Sequence, residues 1–208
     1  IKVIDQIDLK SLKETQPYSI WKHVPRYVKS EATYKNLSKE NVINQNEIID
    51  ITDNMNKDGT LEWDVPKGNW TIMRFVSRTT GQTTRPAPTP GHGYETDKFN
   101  PKSFEKHREN FQQKLLDRIG TRESGSSWTR IHLDSWEMSS QNWSQQFQEE
   151  FIQRRGYDPK PFYPAYNGMV VGSLEQTERF LWDLRKTSQE LIIDNYVNVI
   201  KEKSHEHN

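Results

Sequence analysis

The sequence predicts an α/β chain in two parts. A β-rich, sandwich-like segment covers residues 1–84, and a region built like part of a (β/α)8-type barrel covers residues 85–208. Three observations predict this. Leu61, Trp63 and Val65 alternate with polar residues before the turn "PKGN", and Trp70, Ile72, Phe75 and Val76 follow. That is the period-two pattern of a hairpin over 59–81. Beyond a Pro-rich stretch the apolar period becomes that of helices. Between two of those helices lies a short strand-like run, "SSWTRIHLD" (126–134).

The elements follow in chain order. "IKVID" opens the chain as an apolar, strand-like run, and "IIDIT" (48–52) has strand composition. The hairpin over 59–81 comes next. "QTTRPAPTPGHG" (82–93) is a loop or domain junction, because successive X-Pro steps favour extended backbone. Residues 100–120 read as a helix. Asn100 suits the N-cap, Pro101 the first turn and Gly120 the stop, while Phe104, Phe111, Leu115 and Ile119 share a face. The 126–134 strand ends on Asp134. A second helix spans 144–156, with Phe147 and Phe151 one turn apart and Gly156 at its end. A loop covers 157–172. "SLEQ" (173–176) then makes a capping box for a long helix to about residue 203. Leu181, Leu184, Leu191, Ile192 and Val199 give that helix an apolar stripe. This succession matches one or two βα units, too few strands to close a barrel alone.

Composition narrows the function. Lys plus Arg and Asp plus Glu each number 29, so the formal net charge is zero. A protein gripping a nucleic-acid backbone shows a basic excess or stripe, and neither is visible. The apolar fraction is 32%, against roughly 45–50% in ordinary domains. Yet 11% of residues are aromatic, seven of them Trp, which a disordered chain would lack. A folded protein with wet surfaces and an aromatic-rich cleft reconciles the two, and so does a piece of a larger protein. No run of about 18 apolar residues is present, so no membrane-spanning helix is expected. The absence of Cys excludes disulfides and thiolate metal sites and fits any compartment.

"IHLDSWEMSSQNW" (131–143) concentrates the chemistry: Asp134, Trp136, Glu137, Asn142 and Trp143 share one window. If the strand stops at Asp134 and the chain turns, both carboxylates reach one cleft, where barrel active sites sit. Two carboxylates in different environments suit glycoside hydrolysis, one protonated to donate to the leaving oxygen and one ionised. Trp136 and Trp143 offer apolar faces to a sugar ring. Spacing alone, however, favours Asp134 as a turn cap and Glu137 as a solvated side chain. His132 shares Asp134's face of the strand, as a cleft residue or a satisfied core histidine.

"GHGYETDKF" (91–99) holds His92, Glu95, Asp97 and Lys98. The third Gly of a dinucleotide fingerprint is missing. Glu95 and Asp97 could donate oxygens to a hard cation such as Ca²⁺, but the residues alone favour a surface loop with Asp97 and Lys98 solvated. His205 and His207 near the end lack the i, i+4 spacing of a helical zinc site.

"LDSWEMSSQNWSQQFQEEFIQRRGYDPKPFYP", followed by "TERFLWDLRKTSQELI", resembles glycoside hydrolase family 106, the α-L-rhamnosidase family. The upstream "LEWDVPKGNWTIMRF" and "PAPTPGHGYETDKF" look like the segments that precede it there. The resemblance covers roughly residues 48 to 200. It implies a large multidomain bacterial enzyme, secreted or periplasmic, acting on plant or algal polysaccharide. It implies a (β/α)8-type catalytic barrel with β-sandwich modules, exo-acting removal of α-L-rhamnosyl or similar residues, and an inverting mechanism with a calcium ion contacting the sugar. Carried over, Glu137 is the general acid, and Asp134 a substrate-binding or supporting residue. Glu95 and Asp97 match an E-x-D-K segment near the sugar or the ion. Trp136, His132, Asn142 and Trp143 are taken as substrate-binding, and no metal ligand is assigned. The family's base is a Glu on a later strand, past residue 208. An inverting pair needs about 6.5–9.5 Å between carboxyls, more than Asp134 and Glu137 readily give. This chain alone is therefore expected to be inactive. The competing expectation is a non-catalytic carbohydrate-binding or structural module, with its Trp residues on an open face.

Overall fold

The computed structural model describes residues 38–79, 81, 83–84, 87–120, 125, 127–133 and 141–206. Among these residues the protein is helical, with two short strands, and they form neither a closed barrel nor a sandwich.

The helices form where the sequence supplies both ends. Helix α1 (Pro101–Asn110) starts on Asn100, whose side chain accepts a hydrogen bond from the Lys102 amide at 3.1 Å. Phe111 leaves helical geometry and breaks the expected single helix, and α2 (Gln112–Ile119) resumes after it. Helix α3 (Phe147–Arg155) ends on Gly156 in the left-handed region, at φ 80°. Helix α4 (Leu174–Ile192) begins where the Ser173 hydroxyl accepts from the Gln176 amide at 3.1 Å, one half of the expected capping box, while the Ser173 amide donates to Val171 O at 2.8 Å. The long helix is continuous to α5 (Asn198–His205), except that Ile193–Val197 widen into a π turn.

The core lies between α3, α4 and the segment joining them. Phe147 and Phe151, one turn apart, are both fully buried. Phe162 stacks on Phe180 at 5.2 Å, and Tyr157 meets Phe151 edge-on at 5.1 Å. Such ring pairs add to the burial term. Arg155, almost fully buried, donates to the Thr187 hydroxyl at 2.9 Å and pairs with Glu190. Arg154 pairs with Asp194 at 2.8 Å. These bonds satisfy the polar groups where α3 meets α4.

The 157–172 stretch, expected as a plain loop, carries structure. Lys160–Asn167 form 3-10 turns and Val170–Val171 form strand β2. Strand β1 (Val42–Ile43) pairs with β2 in parallel. Buried Thr177 holds β2 in place: its hydroxyl accepts from the Val171 amide at 2.9 Å and lies 3.0 Å from the Val171 carbonyl. Gly172 extends the pairing by donating to Ile43 O at 2.8 Å. Gly172 sits at φ 71°, in the left-handed region that side-chain-bearing residues rarely adopt, which favours glycine beside that cap.

The expected strands depart furthest from the pattern. Among the described residues of the 59–81 hairpin no ladder joins the two arms, and Leu61 makes only an isolated bridge to Met55 before it. Trp63 and Trp70 meet edge-on at 5.5 Å, and the Trp70 indole donates to Pro66 O at 2.8 Å. Val65, Ile72 and Val76 stay exposed. A two-stranded hairpin is marginal without a layer to cover its apolar face, and no described residues cover this one. "IIDIT" is not a strand either. Asp50 accepts from the Thr52 amide at 3.0 Å, turning the chain into a 3-10 turn over Thr52–Asn54. Residues 127–133 of the expected 126–134 strand are irregular, because no described segment offers them a ladder. On the expected apolar face of α1 and α2, Phe104 is buried while Phe111, Leu115 and Ile119 are exposed.

The segment before α1 is stitched to the later one at further points. Lys160 pairs with Asp50 at 2.8 Å, and Phe75 meets Tyr163 at 5.4 Å. The Lys160 ammonium, helped by the Thr52 donors, lowers the Asp50 carboxyl to a pKa of about 2. Among the described residues no helix is long and apolar enough to cross a membrane.

Candidate active site

The site is best described from the 94–99 loop outward. The Pro-rich stretch before it turns back on itself: Thr84 donates to Gly93 O at 3.0 Å, and Thr83 bridges Tyr94. This delivers Glu95, Asp97 and Lys98 to the N-terminal end of α1. Asp97 organises the turn, its Oδ1 accepting from the Phe99 amide at 3.0 Å and from the Gln141 side-chain amide. Phe99 anchors the loop in the core, 5.6 Å from Phe147.

The expectation that Lys98 is solvated is corrected. Lys98 is only 6% exposed, and its ammonium pairs with Glu95 and sits 5.7 Å from the centre of the Tyr196 ring. A buried ammonium requires such partners. Asp97, likewise expected to be solvated, is half-buried and hydrogen-bonded.

Gln141 joins this loop to the end of the "IHLDSWEMSSQNW" stretch. Its Oε1 accepts from the Lys98 amide at 3.0 Å, and its Nε2 donates to Asp97 and, at 3.2 Å, to Trp143 O. Trp143 is half-buried, its ring 5.1 Å from Phe147 and 5.9 Å from Tyr163. Part of its apolar surface is therefore committed to the core. Asn142 beside it is exposed. His132 is exposed too, on backbone that is not a strand, so strand alternation does not direct it. Asp134, Trp136 and Glu137 lie outside the described residues.

On the other side, the π turn meets the same loop. Asn195 donates to Phe99 O at 2.7 Å, and Tyr196 packs edge-on against Phe104 at 5.5 Å. Burial holds the Tyr196 phenol above its ordinary pKa, and Glu95 adds to the effect. Sequence reading passed over Gln141, Asn195 and Tyr196. A weak signal for Asn195 existed: an amide in the apolar run "LIIDNYVNVI" is a poor helix former with no obvious solvent role.

Among the described residues the 95–99 loop offers two carboxylates, Glu95 and Asp97, fewer than a calcium shell needs. Ca²⁺ takes six to eight oxygens, whereas Glu95 is engaged by Lys98 and Asp97 by two N–H donors. Among the described residues no group of three or more His, Asp or Glu side chains could hold a metal ion.

Comparison with known proteins places this arrangement. The sequence profile of glycoside hydrolase family 106, described as alpha-L-rhamnosidase, matches residues 4–208. A protein of Formosa agariphila, provisionally named a beta-glucuronidase, is 39% identical over 171 residues, covering 82% of this chain and 15% of its own length. The structure of a rhamnosidase from Novosphingobium sp. PP1Y superposes with a TM-score of 0.66 at 29% identity, covering 79% of this chain and 16% of that one. The chain thus spans about one sixth of the length of each of these relatives.

Proposed function

Because the chain belongs to glycoside hydrolase family 106, the α-L-rhamnosidase family, we propose that it forms part of the catalytic region of a larger exo-acting glycosidase. Its substrate is a plant or algal polysaccharide bearing terminal α-L-rhamnosyl or similar residues. The observation that carries this reading is the Gln141 link. It ties the E-x-D-K loop to the end of the stretch bearing Asp134 and Glu137. Glu137 precedes Gln141 by four residues, at most about 14 Å of extended chain. What supports the reading is that the E-x-D-K loop is bonded to Gln141, the residue at the end of the second family motif.

In this reading Glu137 is the general acid that protonates the leaving oxygen. Asp134 supports the sugar, and Glu95, held in place by the buried Lys98 ammonium, meets its hydroxyls. Exposed His132 and Asn142, with Trp136 and the free part of Trp143, complete the sugar contacts. An inverting reaction then needs a base from another part of the enzyme. Calcium assistance would draw its oxygen ligands from there as well, and no step here depends on it. The same reading makes the enzyme secreted or periplasmic, which fractionation of the source cells would test.

A non-catalytic sugar-binding module would present several indole faces on one open surface. Among the described Trp residues, Trp143 packs toward the core, Trp63 and Trp70 meet edge-on, and Trp182 is open to solvent but on a different element, α4. The Formosa relative's provisional name makes a uronic acid the second candidate sugar.

The test uses the full-length polypeptide containing this chain, with phenyl α-L-rhamnoside and phenyl β-glucuronide, with and without a chelator. Glu137→Gln should lower kcat by about 10²–10⁴-fold, the usual contribution of a positioned acid. Undiminished turnover would remove Glu137 from the mechanism. Turnover of the glucuronide alone would reassign the sugar.

A further inference from the structure

The 95–99 loop is held at separate points by two amide side chains that contact no proposed reacting group. Gln141 grips it at the Lys98 amide and the Asp97 carboxylate. Asn195 grips it at the Phe99 carbonyl, at 2.7 Å. Asn195 lies in the π turn Ile193–Val197, the one place where the long helix departs from α geometry. A π turn widens the helix and changes which neighbouring side chains share a face, and such turns occur often at functional sites. Here adjacent residues serve the same neighbourhood: Asn195 bonds the loop, and Tyr196 lies under the Lys98 ammonium and against Phe104. Asn is a weak helix former, so its place in this helix is explained by the bond it makes.

We propose that Gln141 and Asn195 are positioning residues that clamp the 95–99 loop at separate points and present Glu95, paired with the buried Lys98, to the sugar in one geometry. The proposal rests on the glycosidase reading above. Asp97 then acts mainly through the turn it organises, because its Oδ1 is occupied by two donors. Gln141 suits the post because its one side chain offers both an acceptor to an amide and a donor to a carboxylate.

The experiment uses the full-length polypeptide with Gln141→Glu, Asp97→Asn, their combination, and Asn195→Asp. Glu at position 141 keeps an acceptor for the Lys98 amide but sets a carboxylate against Asp97. Asp at position 195 keeps the size and removes the donor to Phe99. The Gln141→Glu and Asn195→Asp variants should lose between about tenfold and a hundredfold in kcat, the range a small misplacement costs, with KM moving less. Adding Asp97→Asn to Gln141→Glu should recover part of that loss, which two independent structural defects would not do. Amide hydrogen exchange at Lys98 and Phe99 reads the clamp without any activity and should quicken in both single variants. Wild-type exchange rates would overturn the clamp. Faster exchange with unchanged kcat, or strictly additive losses in the double variant, would overturn its role at the site. If the wild type hydrolyses neither glycoside, the glycosidase reading fails, and the exchange rates alone decide whether the clamp exists.

Discussion

Two stretches of this chain carry similar apolar residues and use them differently. Between 141 and 206, Phe147, Phe151, Phe180 and Leu191 are wholly buried. Between 59 and 79, Val65, Ile72 and Val76 lie largely in water, Val76 at 70% exposure. The difference is one of self-sufficiency. A helix satisfies its own backbone and needs only a neighbouring face, and α3 and α4 provide each other with one. A strand satisfies half its backbone at best and needs a partner ladder as well as a covering layer. Apolar alternation therefore marks where a strand forms once neighbours arrive, whereas helical periodicity with caps marks where a helix already stands.

The sharpest way to break this comparison is to cut into the packed side. Phe180→Ala should cost about 3–5 kcal/mol, because it removes a ring touching Phe151, Phe162 and Tyr166. Urea unfolding followed by tryptophan fluorescence would measure it, and a loss under 1 kcal/mol would put the core elsewhere.

That contrast also explains what could be read in advance. The Asn100 cap, the Ser173–Gln176 box and the Gly156 stop are local chemistry, and the helices begin or end there. The hairpin depends on a covering layer and the 126–134 strand on a pairing partner, neither of them local, and their described residues form no ladder. At the site, Glu95 and Asp97 stood out as carboxylates in a Gly-flanked loop. The burial of Lys98 did not, because it depends on Tyr196, almost a hundred positions away. The break at Phe111 and the π turn were illegible for a related reason. The π turn is a shift of helical phase that meets the Phe99 carbonyl, the break at Phe111 is held by local contacts with His107 and Arg108, and a 3.6-residue pattern averages over both.

A second prediction concerns Thr177. Thr177→Val keeps the shape but leaves the buried Val171 amide without its acceptor, at a cost of about 1–3 kcal/mol. Exchange at the Val171 amide should quicken more than at amides in α3. A variant as stable as wild type would show that the β1–β2 pair stands without that hydroxyl.

A third uses pH. Burial pushes the Tyr163 phenol up to about 12, where it packs between Trp143, Phe75 and Tyr166. A raised pKa means the folded state keeps a proton that the unfolded chain has released. The associated stability is complete below the ordinary phenol pKa of about 10 and is lost as pH rises from there to about 12. Tyr163→Phe should flatten that alkaline decline in Tm, and an unchanged decline would assign it to other phenols.

The smallest effect belongs to the open side. Ile72→Asn should change stability by no more than about 0.5 kcal/mol, since a side chain already in water has little to lose. A loss comparable with that of Phe180→Ala would erase the distinction between the two stretches.

The parallel pairing of Val42–Ile43 with Val170–Val171 has a consequence for the order of assembly. Closing a loop of more than half the chain carries an entropic penalty that two residues of ladder cannot offset by themselves. The surface they dock onto, Val171 held by Thr177 and the aromatic rings beside it, must be in place first. Residues 38–43 are thus the last to arrive in folding and the first to leave when the protein is stressed. A protease that cleaves near residue 43 should nick the native chain there while α3 and α4 are still intact.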